Sequence, residues 1–233
     1  MRPIYQLYPS EIGAKGKAYL ALRRCRAEDV DETLQRGREE LLGQGATEIY
    51  VTSSDPAAPL EEGVRGGCRL VHVRDMLWME RELQELPAEA QGVTLVPLER
   101  SRGGAWLTLH NECFFDMPNS ATYGPLDLER ALSQECRCGF VHWRDIPVGV
   151  YELALSQDLP EVEGIALCKD FRGKGLGRSL LAALLSQLRD AGYRRCRLLV
   201  ATDNQNAFGL YRSMGFKAAG VQSQWFQMLA EQD

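Results

Sequence analysis

The chain has 233 residues, of which 45% are hydrophobic and 25% charged, and a formal net charge of −5 at pH 7. These values are typical of a soluble globular protein that is long enough for one α/β domain plus a smaller region. There is no dense Lys/Arg run, no apolar leader and no apolar stretch near the ~20 residues of a membrane span. We therefore expect a cytoplasmic protein that binds neither nucleic acid nor membrane.

The first part of the chain predicts a small α/β region. Hydrophobic periodicity indicates a helix over residues 30–43 that ends at glycine, then a strand over 48–52 and a long strand over 69–80. A polar segment with Pro and Gly near residue 90 indicates a boundary. We therefore divide the chain into residues 1–90 and 91–233.

The second region predicts a complete α/β domain with the element order β-α-α-β-β-β-α-β-α-β. The predicted elements are a strand over 93–98, helices over 105–115 and 127–134, strands over 136–143, 148–155 and 161–168, a helix over 176–191, a strand over 197–201, a helix over 206–213 and a strand over 216–228. Asp127 is the expected cap of the second helix.

The helix over 176–191 has the clearest pattern in the chain. Its leucines recur at helical spacing, as at Leu180, Leu184 and Leu188, and Gly192 is a stop signal before the next strand. The first region repeats this order of helix, glycine and strand. We interpret residues 1–90 as a partial, degenerate copy of the unit that follows.

A strand leads directly into the segment Arg172-Gly-Lys-Gly-Leu-Gly177, which opens that long helix. Its three alternating glycines permit a tight turn and leave backbone N–H groups uncovered at the positive end of a helix. Arg172 and Lys174 add positive charge. The segment therefore predicts a seat for a pyrophosphate.

Other interpretations of this loop are weaker. The dinucleotide fingerprint G-x-G-x-x-G has a different glycine spacing and needs an acidic residue after the next strand. A P-loop needs four residues between its glycines and then Gly-Lys-Ser/Thr, which are absent. An ordinary glycine turn between a strand and a helix is the remaining alternative.

The chain resembles the GNAT superfamily of N-acetyltransferases. The glycine loop matches that family's pyrophosphate loop, and residues 204–216 match its second signature, N-x-x-A-x-x-L-Y-x-x-x-G-F. Both occur in the family's order and spacing, and the match covers residues 93–233. A weaker likeness, around residues 107–119, is to tandem-domain thiol-cofactor acetyltransferases such as mycothiol synthase, although this chain is shorter.

The resemblance implies a mixed, mostly antiparallel sheet that splays between its fourth and fifth strands, with acetyl-CoA in the gap. The strand residues Ile165, Ala166 and Leu167 would pair with the pantetheine arm, and Asn204 would reach that arm. The full set of implied coenzyme-binding residues is Ile165, Ala166, Leu167, Arg172, Gly173, Lys174, Gly175, Leu176, Gly177, Arg178, Asn204, Ala207 and Tyr211.

Direct transfer of an acetyl group to an amine needs a base for the amine and an acid for the departing thiolate. Tyr211, which the resemblance places near the thioester sulfur, is the candidate acid, and a tyrosine of the core is the alternative. Glu161 and Glu163 share a strand face and are candidate bases, with solvated carboxylates as the alternative. A backbone N–H near Leu167 would stabilise the oxyanion.

The acceptor side is predicted from the loop after the first helix of this region. Asp116 would hold a cationic amine, and Asn119 and Tyr123 would bind polar groups; loop capping and aromatic packing are the alternatives. We expect a primary amine of a small molecule or peptide as acceptor, and a monomer or homodimer. The alternative function is an inactive CoA-binding sensor or interaction module.

No metal site is expected. The seven cysteines include one close pair, Cys136 and Cys138, without a second pair at metal-ligand spacing, and the three histidines are isolated. In the first region, the position of the glycine loop is taken by Ala27-Glu-Asp-Val-Asp-Glu32. Its four carboxylates would repel a pyrophosphate, so we expect no second coenzyme site.

Overall fold

The computed structural model describes residues 3–86, 92–117, 120–155 and 159–230. The chain divides into two compact units: the first comprises Met1–Met76 with Val221–Asp233, and the second comprises Leu77–Gly220. The sequence analysis placed its boundary near residue 90, whereas the structural division falls inside the two long strands β5 (Cys68–Glu82) and β11 (Lys217–Ala230). No helix among the described residues is long and apolar enough to cross a bilayer.

The first unit contains more strands than the sequence predicted. Its elements before β5 are β1 (Ile4–Tyr8), α1 (Ile12–Lys15), β2 (Lys17–Arg24), α2 (Val30–Gly43), β3 (Glu48–Ser53) and β4 (Gly63–Arg65). Strands β1, β2 and β4 were missed because β1 and β4 are short and because three successive buried residues, Leu20 to Leu22, interrupt the alternation of β2.

Helix α2 and the flanking strands form a continuous unit with its own core. Strands β2 and β3 run parallel and pair at six successive positions, from Lys17 opposite Glu48 to Leu22 opposite Ser53. Leu34 of α2 is fully buried in the same apolar cluster as Leu20. This packing, rather than helix propensity, stabilises α2.

The second unit has the element order that the sequence predicts. Its elements are β6 (Thr94–Pro97), α3 (Gly103–Phe114), α4 (Pro125–Ala131), β7 (Cys136–Trp143), β8 (Ile146–Ala154), β9 (Glu161–Leu167), α5 (Leu176–Asp190), β10 (Arg195–Ala201) and α6 (Gln205–Ser213). Strands β6 to β9 pair antiparallel in chain order, and β10 lies parallel to β9. The predicted mixed α/β fold is confirmed.

Helix α4 starts earlier than predicted. Pro125 occupies its first turn, where a missing N–H costs no hydrogen bond. Asp127 is not the N-cap but the third helical residue, and its carboxylate accepts a hydrogen bond of 2.8 Å from the N–H of Gly124. Asp127 therefore caps the helix from its third residue and not from the N-cap position that was predicted.

Two apolar clusters lie on opposite faces of this sheet, because side chains alternate along a strand. Val141 and Tyr151 pack with the leucines of α5, whereas their neighbours Phe140 and Val150 pack with Trp106 of α3. Burial on both faces leaves the ends and gaps of the strands as the places where a ligand can reach the backbone.

Candidate active site

The parallel strands β9 and β10 separate soon after they meet. They pair at Arg197 opposite Glu161 and at Leu198 opposite Val162, and no later pair joins the described residues of the two strands. Glu163 is an extra residue in the pairing of β8 with β9, since Leu153 faces Val162 and Glu152 faces Gly164. Such a bulge bends a strand, and this one lies where the gap opens.

Two backbone amides of β9 face this gap. The N–H of Cys168 donates to the carbonyl of Val148 at 2.8 Å, which fixes the alternation of hydrogen bonds along the antiparallel β8–β9 pair. The Ala166 amide therefore points toward β8, and the amides of Ile165 and Leu167 point to the opposite edge. Of the three residues predicted to pair with pantetheine, Ile165 and Leu167 present their amides appropriately and Ala166 does not.

The glycine loop lies between the end of β9 and the start of α5. Gly173 and Gly175 have φ angles of 74° and 79°, in the left-handed region, and no neighbouring atom lies within 4 Å of a Cβ built at either position. Gly175 is the N-cap of α5, and Leu176 and Gly177 fall in its first turn, where N–H groups have no intrahelical acceptor. The loop thus exposes donors at the positive end of a 15-residue helix.

The side chain of Arg172 does not point into this seat. Its guanidinium donates to the carbonyl of Leu167 at 2.9 Å and to the carbonyl of Cys113 at 2.8 Å, and it forms an ion pair with Asp116 at 2.8 Å. Arg172 therefore joins the end of α3 to the end of β9, and the expectation that its charge contributes directly to the anion seat is not met.

Two further cations flank the loop. The Lys174 ammonium lies 5.3 Å from the centre of the Phe171 ring. Arg178 donates to Ser213 Oγ at 2.7 Å and to Met214 Sδ at 3.3 Å, and so ties α5 to the end of α6. Among the described residues, Lys174 and Arg178 thus have no carboxylate partner, whereas Arg172 pairs with Asp116.

Asn204 and Ala207 form the start of α6. Asn204 is the N-cap, and its side-chain oxygen accepts a hydrogen bond of 3.2 Å from the N–H of Ala207. The oxygen keeps a second lone pair, so the predicted contact of Asn204 with pantetheine can come from its amide nitrogen or from this oxygen.

Tyr211 lies on α6 and is 9% exposed. Its ring packs against Phe216 at a centroid distance of 6.0 Å, and its hydroxyl makes no hydrogen bond to the residues that the structure describes. Burial raises the pKa of Tyr211 to about 12, so the phenol is protonated at neutral pH. The side chain is part of the core and also has the protonation state of a general acid.

The two candidate bases share a face of β9, as predicted, since Val162 between them packs in the cluster under α5. Each carboxylate is ion-paired: Glu161 with Arg197 at 3.1 Å, and Glu163 with Arg130 through two hydrogen bonds of 2.8 and 3.0 Å. Burial raises the pKa of Glu161 despite the opposing effect of Arg197. Neither carboxylate is a simply solvated group.

The predicted acceptor residues have different surroundings. Asp116 is held by Arg172, so its charge is already compensated. Asn119 lies outside the described residues. The Tyr123 ring stacks on His110 with centroids 3.9 Å apart and planes at 16°, and burial raises the pKa of its hydroxyl.

Sequence reasoning missed a buried, hydrogen-bonded pair of side chains next to Tyr123, formed by His110 and Glu152. His110 Nε2 lies 2.9 Å from Glu152 Oε1, and both side chains are 3% exposed. A glutamate within an otherwise buried apolar strand is the signal that was available, because such a residue needs a partner.

Comparison with known proteins identifies the family of this domain. Residues 101–216 match the model of the acetyltransferase (GNAT) family. A mycothiol acetyltransferase from Kocuria rhizophila is 29% identical over 78% of this chain and 65% of its own length. A second mycothiol acetyltransferase, from Corynebacterium efficiens, is 33% identical over 50% of this chain and 41% of its own length. The match thus spans less than two thirds of the length of each of these two relatives.

Solved structures give the same fold. A GCN5-related N-acetyltransferase from Sphaerobacter thermophilus has a TM-score of 0.62 at 16% identity, over 96% of this chain and 75% of that one. A tandem GNAT protein from the clavulanic acid biosynthesis pathway has a TM-score of 0.54 at 14% identity, over 94% of this chain and 77% of that one. The predicted resemblance is confirmed: the chain carries a domain of the GNAT acetyltransferase family.

Proposed function

We propose that this chain transfers an acetyl group from acetyl-CoA to a primary amine of a small molecule or peptide. The observation that carries the proposal is the gap between β9 and β10, which opens beside the glycine loop and toward which the Ile165 and Leu167 amides point. A strand edge with unpaired amides suits an extended amide-bearing arm, and a glycine loop at a helix N-terminus suits a pyrophosphate.

The first unit offers an internal contrast. There the corresponding parallel strands, β2 and β3, remain paired at six successive positions, so their facing amides are used by the sheet. Residues Ala27–Asp29 form a short 3-10 turn directly before α2, and this turn places Glu28 and Asp29 at the N-terminus of the helix. We propose that this unit binds no coenzyme.

Bound acetyl-CoA would supply the acyl group as a thioester. The Leu167 N–H, which faces the gap, would stabilise negative charge on the thioester oxygen. Glu161 or Glu163 would accept the amine proton, directly or through water, and Tyr211 would donate a proton to the leaving sulfur. The phenol is protonated at neutral pH, as a proton donor must be.

The test combines binding with turnover. Calorimetry should show saturable acetyl-CoA binding, and thiol release from acetyl-CoA should depend on added amine in a panel of glucosamine, spermidine and alanine amide. Absence of acetyl-CoA binding would refute the proposal.

A CoA-binding sensor without turnover is the second candidate, because both candidate bases are engaged by arginines. It predicts acetyl-CoA binding but no amine-dependent thiol release across the panel. Turnover with any amine excludes this candidate.

A further inference from the structure

The buried pair His110–Glu152 is connected to the acceptor-side loop by one residue. Asn111, which follows His110 on α3, donates from its amide nitrogen to the carbonyl of Tyr123 at 3.0 Å and accepts from the N–H of Tyr123 at 2.8 Å. Both backbone groups of Tyr123 are therefore bound by one side chain. His110 Nδ1 lies 3.3 Å from the same Asn111 oxygen.

These contacts determine the orientation of the Asn111 amide. A backbone N–H needs an acceptor and a carbonyl needs a donor, so the oxygen must face the Tyr123 N–H and the nitrogen must face its carbonyl. The Asn111 oxygen carries no proton. For the contact with His110 to be a hydrogen bond, Nδ1 must therefore be the donor.

The other ring nitrogen serves the glutamate. Nε2 lies 2.9 Å from Glu152 Oε1, and this hydrogen bond needs one proton between the two atoms. The bond gives each of the two side chains, which are 3% exposed, the partner that a buried polar group needs.

Glu152 also lies directly against β9, the strand that lines the gap. It is opposite Gly164 in the β8–β9 pairing, and a Cβ at Gly164 would come within 2.6 Å of Glu152 Oε1. Glycine at this position therefore leaves room for the carboxylate beside the bulge of β9. The chain of contacts thus runs from the strand that lines the gap, through α3, to the loop at Tyr123.

We propose that Glu152, His110 and Asn111 form a positioning relay that holds the acceptor-side loop at Tyr123 in a fixed relation to β9. None of the three acts on the reacting atoms in this proposal. They set the place of Tyr123, whose ring lies flat on His110. The expected effect of the relay on the KM for the amine rests on the proposed amine acetylation. Its expected effect on the position of Tyr123 does not.

Four variants separate positioning from general support of the fold. Asn111→Ala removes both bonds to the Tyr123 backbone, and Glu152→Leu keeps volume but cannot hydrogen-bond to His110. Glu152→Gln keeps the size of the side chain and can still hydrogen-bond to Nε2, so it should behave like the wild type. Thr108→Ala is the matched control on α3, because its exposed hydroxyl bonds, among the described residues, only to the Gly104 carbonyl of the same helix.

The first readout is backbone hydrogen exchange in the full chain without ligand. Asn111→Ala and Glu152→Leu should speed exchange of the Tyr123 amide by about tenfold or more, as expected for loss of one net hydrogen bond. The Cys168 amide, which bonds to Val148, should keep its wild-type rate, and Glu152→Gln and Thr108→Ala should change neither amide. An unchanged Tyr123 rate in Asn111→Ala, or equal acceleration at Tyr123 and Cys168, would overturn the proposal.

The second readout is steady-state turnover with the best amine of the panel. Asn111→Ala should raise the KM for the amine at least about fivefold while the Kd for acetyl-CoA stays within about twofold. A matching loss in acetyl-CoA affinity would overturn the proposal. Should the wild type turn over no amine, the proposed function fails, and the exchange rates still decide whether the relay positions Tyr123.

Discussion

Tyr211→Phe is the most direct test of the candidate acid, because it removes one oxygen and leaves the packing intact. The ring is 9% exposed and lies against Phe216, and its hydroxyl has no hydrogen-bond partner among the described residues. The substitution therefore breaks no hydrogen bond within the described part of the chain. A change in activity would have to come from the hydroxyl itself.

Tyr211→Phe should lower kcat strongly and change acetyl-CoA affinity and stability little. General acid catalysis contributes about 10²- to 10⁴-fold, so kcat should fall by about 100-fold or more. The Kd for acetyl-CoA should stay within about twofold, since an interaction made only in the transition state does not add to ground-state binding. Because the hydroxyl makes no hydrogen bond to the described residues, its removal should change the free energy of unfolding by less than about 1.5 kcal/mol, the net contribution of one hydrogen bond.

The pH dependence of stability supplies a second check. Burial raises the pKa of Tyr211 in the folded chain from 10.0 to about 12. The unfolded chain therefore loses this proton first, so the stabilising contribution is complete below pH 10 and is lost as pH rises to about 12. The variant should lack this component of the alkaline fall in stability.

Three measurements decide the role of Tyr211: amine-dependent thiol release, calorimetry with acetyl-CoA, and thermal unfolding. A kcat within a factor of three of the wild type would refute the acid assignment. Parallel losses in acetyl-CoA affinity, rate and melting temperature would instead identify a purely structural side chain.

Three other predictions, which use five substitutions, test the rest of the site. Gly175→Ala and Gly192→Ala each place a side chain at positive φ with open space around it, and each should lower the free energy of unfolding by about 1–2 kcal/mol. Only Gly175→Ala should weaken acetyl-CoA binding in calorimetry, and equal affinities in the two variants would contradict the loop assignment. Because burial raises the pKa of Glu161 above its ordinary 4.5, a base at this position makes kcat/KM fall as pH drops through a value above 4.5. Glu161→Gln should abolish this acidic limb and Glu163→Gln should retain it, whereas the reverse result would assign the base to Glu163. Asp116→Asn should change the KM for spermidine by less than about twofold, because an arginine already compensates this carboxylate, and a larger rise would restore Asp116 as an amine-binding residue.

The parts of the site that are local in sequence were predictable. The glycine loop and the leucine stripe of α5 depend on residues within one helix and its entry, where spacing determines geometry. The separation of β9 and β10 was expected from the resemblance alone, since no pattern along one strand specifies where its neighbour leaves it. Periodicity likewise missed β2, a strand with successive buried residues.

The parts that depend on distant pairing were not predictable. Arg172 was expected to serve the pyrophosphate, but its guanidinium binds groups more than 50 residues earlier in the chain, at Cys113 and Asp116. The contact of His110 with Glu152 depends on how α3 packs on β8, and its closeness to Gly164 depends on a one-residue bulge. A bulge shifts register without changing the hydrophobic pattern enough to be recognised from one sequence.

The two units share the order of strand, helix and strand but differ in whether the backbone amides between the two parallel strands are paired. Where β2 and β3 pair at six positions, the sheet satisfies its own amides and the unit has no strand edge to offer a ligand between them. Where β9 and β10 pair at two positions, the amides of Ile165 and Leu167 are left for another partner. Unpaired backbone donors are costly when they are dry, so a gap of this kind is stable only if water or an amide-bearing ligand enters it. The separation of these strands therefore leaves donors that water can occupy and that an amide-bearing ligand can take over, independent of the glycine loop beside it.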